Sequence, residues 1–294
     1  MLGSPQNQRE KYRENAAASR KSLAYKAVVL VFFTIVSLLV LYPIVYVVSA
    51  AFTPGKSVSS VSIIPFGDGI TYDHFVRLFT ETNYPIWFRN TLIIAAGTSL
   101  TTVLVCSVSA YVFSRFTFRF KRGMLMALII LQIFPSFVGM IAIYVILLRI
   151  GGLDTLWGMI LIYLAGNIPY NTWLVKSYVD SIPKSLDEAA RIDGAGSATT
   201  FFRIIFPQAK PIISFLAITS FTGPWMEYIF SKMILRSNEK QTLALGLYAM
   251  VTEKKNEFTM FCAGSLLIAI PFIIFFVLSQ KMMVTSLGGA AVKE

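Results

Sequence analysis

The segment EAARIDGAG, residues 188–196, lies between the apolar stretches 156–175 and 211–235 of a 294-residue chain. Three of its nine residues are charged, whereas charged residues make up only 14% of the whole chain and hydrophobic residues 55%. Soluble globular domains carry about 25% charged residues. This composition and a mean hydropathy of +0.66 predict a membrane protein in which the segment belongs to a connection between spans.

Six apolar stretches approach or exceed the length of about 20 residues that an α-helix needs to cross a bilayer. They cover residues 27–51, 90–114, 124–148, 156–175, 211–235 and 259–283. The first stretch is too long, and begins too late in the chain, to be a cleavable signal peptide. We therefore predict an all-α polytopic membrane protein with a polar tail, residues 1–25, and a six-helix transmembrane domain, residues 26–294.

The basic residues predict the orientation of these spans. Seventeen of the 26 Lys and Arg residues fall in the tail, the second loop, the fourth loop and the C-terminal segment. The positive-inside rule then places both termini and the fourth loop, residues 176–210, in the cytoplasm. The fifth loop opposes this assignment, because it carries Lys232, Arg236, Lys240, Lys254 and Lys255. Dispersed basic residues do not form a nucleic-acid groove, so the net charge of +11 predicts no nucleic-acid partner.

The fourth loop contains signals for two short helices. Ser185 and Glu188 are spaced for a capping box, and Gly194 is placed to end the first helix. Ser197 is placed to cap a second helix with a predicted apolar face at Ala198, Phe201, Phe202 and Ile205. The small residues and acids of the first helix suit a surface on which another protein docks. A loop lying on the inner leaflet fits the same pattern equally well.

Polar and helix-breaking residues inside the spans are candidates for a translocation path, because such groups in lipid usually face protein or water. Pro135 and Ser136 break the third span, Pro169 the fourth, and Gly223-Pro224 the fifth. The alternatives are helix–helix contacts, an ion pair of Glu227 with Lys232, and aromatic anchoring at the membrane interface. The candidate path residues are Gln132, Asn167, Tyr170, Asn171, Trp225, Glu227 and Tyr228.

The sequence predicts no enzymatic site. Gly55-Lys56-Ser57 lacks the upstream glycine of a phosphate-binding loop, since Ala50 stands there. His74 has no Cys, His or carboxylate partner at ligand spacing. Cys106 and Cys262 lie inside apolar spans, where a cysteine is usually a small buried hydrophobic residue. No catalytic residue and no metal site are therefore expected.

Residues 188–211, EAARIDGAGSATTFFRIIFPQAKP, resemble the EAA loop of binding-protein-dependent ABC importer permeases. Residues 89–122, 131–155 and 287–294 resemble the carbohydrate branch of that family, and within it the maltose-type permeases with six spans. The matching positions of the loop are Glu188, Ala189, Ala190, Asp193, Gly194, Ala195, Phe201, Ile204, Pro207 and Pro211.

The resemblance implies the type I ABC importer permease fold in a bacterial or archaeal inner membrane. It implies a heterodimer with a second related permease, two cytoplasmic ABC ATPase subunits and an extracytoplasmic solute-binding protein. ATP and Mg would be bound by the ATPase and no cofactor by this chain. The implied ATPase-coupling residues are Glu188, Ala189, Ala190, Asp193, Gly194 and Ala195.

The implied cargo is an oligosaccharide similar to maltose or maltodextrin. The uncharged polar residues of the spans also favour a neutral, hydroxyl-rich solute, since an anionic solute would call for intramembrane Lys or Arg. A permease of the same type for another sugar or a polyol remains open. The third alternative is a secondary transporter that works without an ATPase.

Overall fold

A computed structural model describes the backbone of residues 5–133, 138–252 and 256–288, and the side chains of residues 25–133, 138–252 and 256–278. Within these ranges the chain is helical, with two short 3₁₀ turns and no strand. The helices are α1 (Pro5–Phe52), α2 (Asp73–Thr80), α3 (Tyr84–Arg115), α4 (Lys121–Ile133), α5 (Met140–Arg149), α6 (Leu156–Ser181), α7 (Ser185–Ile192), α8 (Ser197–Gln208), α9 (Lys210–Met226), α10 (Ile229–Ile234), α11 (Leu243–Thr252) and α12 (Phe258–Gly288).

Three helical segments are long and apolar enough to cross a membrane: Tyr25–Phe52 of α1, α3, and Phe258–Leu278 of α12. The bent pair α8 and α9, which meet at 81°, raises the number to four if the pair forms one span. With 26 residues α6 has the necessary length, and it continues through Pro169, so the predicted break of the fourth span is wrong. The prediction of an all-α membrane protein is confirmed, and the number of six spans stays a prediction.

Two predicted spans are divided in the structure. The third, 124–148, comprises α4 and α5, and residues 134–137 between them, including Pro135 and Ser136, lie outside the described residues. The fifth, 211–235, is interrupted where Glu227 takes an extended backbone conformation between α9 and α10. Gly223 and Pro224 lie in the last turn of α9, and a proline inside a helix removes one backbone hydrogen bond.

Helix α3 lies at the centre of the bundle, packed against α6 and α9, while α9 also packs on α12. Its buried positions are rich in small side chains, such as Ala95, Ser99, Cys106 and Ala110. Small residues let membrane helices approach closely. Cys106 and Cys262 are both buried free cysteines, as predicted.

Helix α1 stands apart from this bundle. The most apolar part of the segment Tyr25–Phe52 is entirely unburied, and only its C-terminal end packs, with Ala50 and Ala51 against Cys262 and Ala263 of α12. The helix begins at Pro5 and therefore runs through the predicted boundary between tail and transmembrane domain at residues 25 and 26.

Polar contacts close the end of the bundle that contains α2, which we call the α2 end. Arg77 donates hydrogen bonds to both carboxylate oxygens of Glu257, at 3.1 and 3.4 Å, and Lys56 Nζ lies 3.3 Å from Glu257 Oε1. Burial raises the pKa of Glu257, but the hydrogen bonds and charge of Arg77 outweigh it, and the pKa is lowered. His74 is buried, with Nε2 2.8 Å from the carbonyl oxygen of Thr53.

Candidate functional site

The first turn of α7 lacks the capping box that its sequence predicts. Lys184 already has helical dihedral angles, and no side chain caps the first turn. The amide N of Leu186 donates to the carbonyl of Pro183 at 3.3 Å, and that of Glu188 to Lys184 at 3.1 Å. The fixed φ of proline suits a helical turn, so the turn starts before Ser185 and the predicted capping box is wrong.

The C-terminal end of α7 is formed as predicted. Gly194 has a φ of +80°, a conformation that glycine adopts without strain. The amide of Gly194 donates to the carbonyl of Arg191 at 3.0 Å, and that of Ala195 donates to Ala190 at 2.8 Å. This pattern of hydrogen bonds satisfies the last carbonyls of a helix, and α7 ends at Ile192.

The two faces of α7 differ in burial. Asp187 and Ala190 are buried against the bundle. The opposite face, which we call the docking face, consists of the exposed residues Glu188, Ala189, Ile192 and Asp193. Ile192 is 87% exposed, the highest value among the described large hydrophobic side chains.

The six residues that the resemblance assigns to coupling are therefore not equivalent. Glu188, Ala189 and Asp193 lie on the docking face, whereas Ala190 is 4% exposed and faces inward. Gly194 forms the turn that ends α7, and the half-buried Ala195 contributes the hydrogen bond that closes it.

A buried ion pair attaches α7 to the end of α3. Arg115 Nε lies 2.9 Å from Asp187 Oδ2, and the two side chains are 4% and 9% exposed. The pair has the distance of a hydrogen bond without its geometry. The attraction between these two groups is therefore ionic.

Further contacts extend from this pair to α6. Arg115 Nη2 donates to the carbonyl of Ile182 at 2.8 Å, and Ser114 Oγ donates to Asp180 Oδ1 at 2.6 Å. Lys176 Nζ lies 2.6 Å from the other oxygen of Asp180. The end of α3 is thus connected to α6, to the linker at Ile182, and to α7.

Helix α8 begins at Ser197 with Gly196 as its N-cap and without a side-chain cap, so the predicted cap at Ser197 is wrong. The helix is attached by apolar packing. Phe201 and Ile205 are buried in a cluster with Tyr111 of α3, and the rings of Tyr111 and Phe201 are 5.1 Å apart. The predicted apolar face is wrong at two positions, because Ala198 and Phe202 are exposed. Residues Phe201–Ile205 form a π-helical turn, which is wider than an α-turn and rotates the side chains that follow.

A cavity of about 1180 Å³ lies among α4, α5, α6 and α9. It contains three of the seven candidate path residues: Gln132, Asn167 and Glu227. Its other polar residues are Tyr163, Thr219 and Ser220, and Pro169, Gly223 and Pro224 also line it. Among the described lining residues Glu227 is the one charged side chain. The cavity is therefore polar at a few points on an otherwise apolar wall.

Glu227 bridges two elements of the cavity wall. Its carboxylate accepts hydrogen bonds from the amides of Phe230 at 2.6 Å and Ser231 at 3.0 Å, at the start of α10. Tyr163 of α6 donates a third from its hydroxyl, at 3.0 Å, and the hydroxyl of Ser231 a fourth, at 3.1 Å. Glu227 is therefore held by these four donors and not by the ion pair with Lys232 that the sequence left open. Lys232 lines a separate, smaller pocket.

The remaining candidate path residues lie elsewhere. Asn171 is buried and donates to the carbonyl of Asn167 at 2.9 Å, while Tyr170 is 56% exposed. Trp225 is 1% exposed in an aromatic cluster and so does not line the cavity. Tyr228 lines the smaller pocket, 4.4 Å from the ring of Tyr248.

Sequence reasoning missed Tyr163, Arg115 and Asp187. Tyr163 lies four residues before Asn167 on the same face of α6, and this helical spacing was a usable signal. Arg115 and Asp187 are 72 positions apart, and the sequence contains no local pattern that pairs them.

Comparisons with known proteins show the family to which this chain belongs. Residues 102–285 match the family described as binding-protein-dependent transport system inner membrane component. The chain is 36% identical over 277 residues to the maltodextrin transport system permease protein MdxG of Bacillus subtilis, covering 94% of this chain and 99% of that protein. It is 39% identical over 261 residues to the galactooligosaccharides transport system permease protein GanQ of the same organism, covering 87% and 92%.

A solved structure supports the fold. A bacterial ABC transporter involved in the import of the acidic polysaccharide alginate has a chain with a TM-score of 0.76 and 23% identity, covering 89% of this chain and 97% of that chain. The family match and the permease relatives together show that this chain belongs to the family of binding-protein-dependent transport system inner membrane components.

Proposed function

We propose that this chain is one of two related permease subunits of an ABC importer for neutral oligosaccharides. In this proposal six spans cross the membrane, both termini and the loop 176–210 lie in the cytoplasm, and a second permease completes the translocation path. Two ATPase subunits bind ATP and Mg, and an extracytoplasmic solute-binding protein delivers the sugar. This chain itself carries out no catalysis.

The observation that carries the proposal is the docking face of α7. An eight-residue helix exposes the small side chain of Ala189 and the apolar side chain of Ile192 beside the carboxylates of Glu188 and Asp193, while its inner face is fixed to the bundle. A surface of this kind suits insertion into a cleft of a partner. When two ATPase subunits close on nucleotide, docked helices of the two permeases would approach, and the attached spans would rotate as rigid bodies.

The cavity supports the assignment of the cargo. Its polar groups are hydroxyl, amide and carboxylate groups, which bind the hydroxyls of sugars, and no Lys or Arg lies among its described lining residues. An anionic saccharide would meet the carboxylate of Glu227 without a compensating cation. The names of the relatives MdxG and GanQ also point to neutral oligosaccharides. We therefore place Gln132, Tyr163, Asn167 and Glu227 on the translocation path.

Purification of the tagged chain from its native membrane tests the assembly. We expect a second permease and an ABC ATPase in stoichiometric yield, and ATP-dependent uptake in proteoliposomes supplied with the co-encoded solute-binding protein. Isolation of the chain without an ATPase, together with uptake driven by an ion gradient, would establish the secondary transporter instead.

Competition between solutes in the same uptake assay tests the proposed cargo. Maltotriose, a galactooligosaccharide, a polyol and an oligouronate are offered at equal concentration to the complete system. We expect uptake of one of the two neutral oligosaccharides and exclusion of the oligouronate. Preferential uptake of the oligouronate would contradict the role assigned to the cavity, whose one charged described lining residue is the acid Glu227. Uptake of the polyol alone would show that the cargo is a polyol and not an oligosaccharide.

A further inference from the structure

The two helices that follow α6 are held to the bundle by different forces. In α8 the large side chains of Phe201 and Ile205 are buried in an apolar cluster. In α7 only Asp187 and Ala190 are buried, with Leu186 half-buried beside them. The methyl group of an alanine buries little apolar area. The attachment of α7 therefore depends on the contact between Asp187 and Arg115.

Arg115 is placed to connect several elements at once. It is the last residue of α3, and its planar guanidinium presents donors in fixed directions. Nε faces Asp187 at 2.9 Å, Nη2 donates to the carbonyl of Ile182 at 2.8 Å, and Nη1 donates to Ser114 Oγ at 3.3 Å. A displacement of α7 relative to α3 must disturb one or more of these contacts.

The burial of this pair makes such a displacement unfavourable. A buried ion pair adds little net stability compared with an apolar pair, but separation of its members leaves two buried charges without compensation. α7 can therefore move together with α3 more easily than it can move alone. Ser114 and Asp180 carry the same constraint to α6.

We propose that Arg115 and Asp187 are positioning residues that make α7 and the end of α3 move as one body, so that a displacement of the docking face reaches the spans. The mechanical part of this inference concerns the chain alone, and the part about transport rests on the proposed function. Neither residue lies on the docking face, and neither touches the solute in this role.

Hydrogen exchange of the amides of residues 184–193, in the full-length chain with its partners in lipid nanodiscs, tests the mechanical part. The variant Asp187→Asn keeps the shape of the side chain and removes its charge, and Asp187→Glu retains the charge. We expect exchange in this segment to accelerate by about tenfold or more in Asp187→Asn, with little change in α8, and to be slowed again in Asp187→Glu. Unchanged exchange in Asp187→Asn would overturn the inference, whatever the protein transports.

The transport part is tested by the amount of solute imported per ATP hydrolysed in proteoliposomes. We expect Asp187→Asn to retain ATP hydrolysis and lose most of the import per ATP, and Asp187→Glu to recover much of it. Asp73→Asn, an exposed acid on α2 at the other end of the bundle, is the matched control and should behave as the wild type. If the wild-type complex does not couple ATP to import, the proposed function fails and the exchange result still stands.

A double variant tests whether the effect of Asp187→Asn comes only from poor folding. Arg115→Met with Asp187→Leu removes both charges and leaves apolar groups at the same place, so no buried charge is left without a partner. We expect this variant to reach the membrane in normal amount and to import little solute per ATP. Normal import by the double variant would show that the ion pair is dispensable and would overturn the proposal.

Discussion

At the scale of the residue, two neighbouring acids of α7 have opposite surroundings. Asp187 is buried beside Arg115, and Glu188 is exposed on the docking face. The helical rotation of about 100° between consecutive residues separates them. Sequence patterns indicated the exposed acid through its place in the EAA loop, whereas the partner of the buried acid lies on a distant helix and has no local signal.

Ile192 provides the first prediction, because a large apolar side chain that is 87% exposed gains most from burial in a partner. Ile192→Glu should weaken binding of the ATPase subunit by about tenfold or more, as expected for a central contact residue worth about 2 kcal/mol. The measurement is the retention of ATPase on the tagged permease at graded salt and detergent.

The control for Ile192 is Val76→Glu, which introduces the same acid at an exposed apolar position of α2, 59% exposed. It should retain the ATPase at the wild-type level. Equal retention in both variants would remove Ile192 from the contact.

Tyr163 provides the second prediction. Tyr163→Phe removes the hydroxyl that donates to Glu227 at 3.0 Å and keeps the ring. We expect a loss of about 1.5–3 kcal/mol of stability, typical of a hydrogen bond to a charged group, seen as a lower melting temperature of the purified protein. Tyr228→Phe is the matched control, since the Tyr228 hydroxyl has no hydrogen bond among the described residues, and it should melt as the wild type does.

At the scale of the element, the packing of α11 on α3 depends on a glycine. A Cβ atom at Gly246 would lie 2.1 Å from Cε3 of the buried Trp87 ring. Gly246→Ala should therefore destabilise the protein by about 1–3 kcal/mol, the usual effect of overpacking, and lower its melting temperature. Gly123→Ala in α4 has no atom within 4 Å of the new Cβ and should be neutral or slightly stabilising.

The attachment of α2 to the start of α12 should depend on pH. Because the pKa of Glu257 is lowered in the folded protein, the contribution of this residue to stability is present above the ordinary glutamate pKa of about 4.3. It is lost as the pH falls through the lowered pKa of the folded state. We expect the melting temperature of the wild type to fall in acid more steeply than that of Glu257→Gln.

The difference in melting temperature between the wild type and Glu257→Gln, measured across pH, checks this prediction. At pH 7 Glu257→Gln should melt below the wild type, and the difference should shrink as the pH is lowered past about 4. Glu239→Gln, at an exposed position, is the control with no expected difference. A constant difference between wild type and Glu257→Gln at all pH values would contradict the role of the ionised carboxylate.

The sequence predicted most elements and placed some of their ends. Gly194 gave the end of α7 correctly, because its backbone conformation is local. The capping box at the start of α7 and the apolar face of α8 were predicted wrongly. The interruption of the fifth span was predicted from Gly223-Pro224, but its position at Glu227 was not. These depend on Pro183, on a π-helical turn, and on a carboxylate that binds the amides of the next helix, and hydropathy does not report such details.

At the scale of the whole molecule, composition and hydropathy predict the membrane class, and the resemblance adds the family. The arrangement of the cavity could not be predicted, since Gln132, Asn167 and Glu227 come from three different helices or their ends. Trp225 and Tyr228, close neighbours of Glu227 in sequence, lie outside it. Neighbouring positions on a broken helix point in different directions, and only the packing of the bundle selects among them.

The proposed orientation predicts which surfaces a membrane-impermeant maleimide reaches. In sealed right-side-out vesicles, Asp73→Cys should be labelled, and Ile192→Cys should be labelled only after the vesicles are opened. Both native cysteines are buried, so the wild-type chain supplies a low background. Labelling of Ile192→Cys in sealed vesicles would place the docking face outside the cell and contradict both orientation and ATPase docking.

The separate position of α1 bears on how the chain is made. Within the described residues, α1 packs most extensively with α12, and its end at Phe52 also contacts Tyr72 and Phe75. About 200 residues separate the two helices, so at about 5–20 residues per second the ribosome needs roughly 10–40 s to deliver the second after the first. During synthesis α1 lacks its most extensive intramolecular contact for that interval, in which quality-control proteases can act on an incomplete subunit.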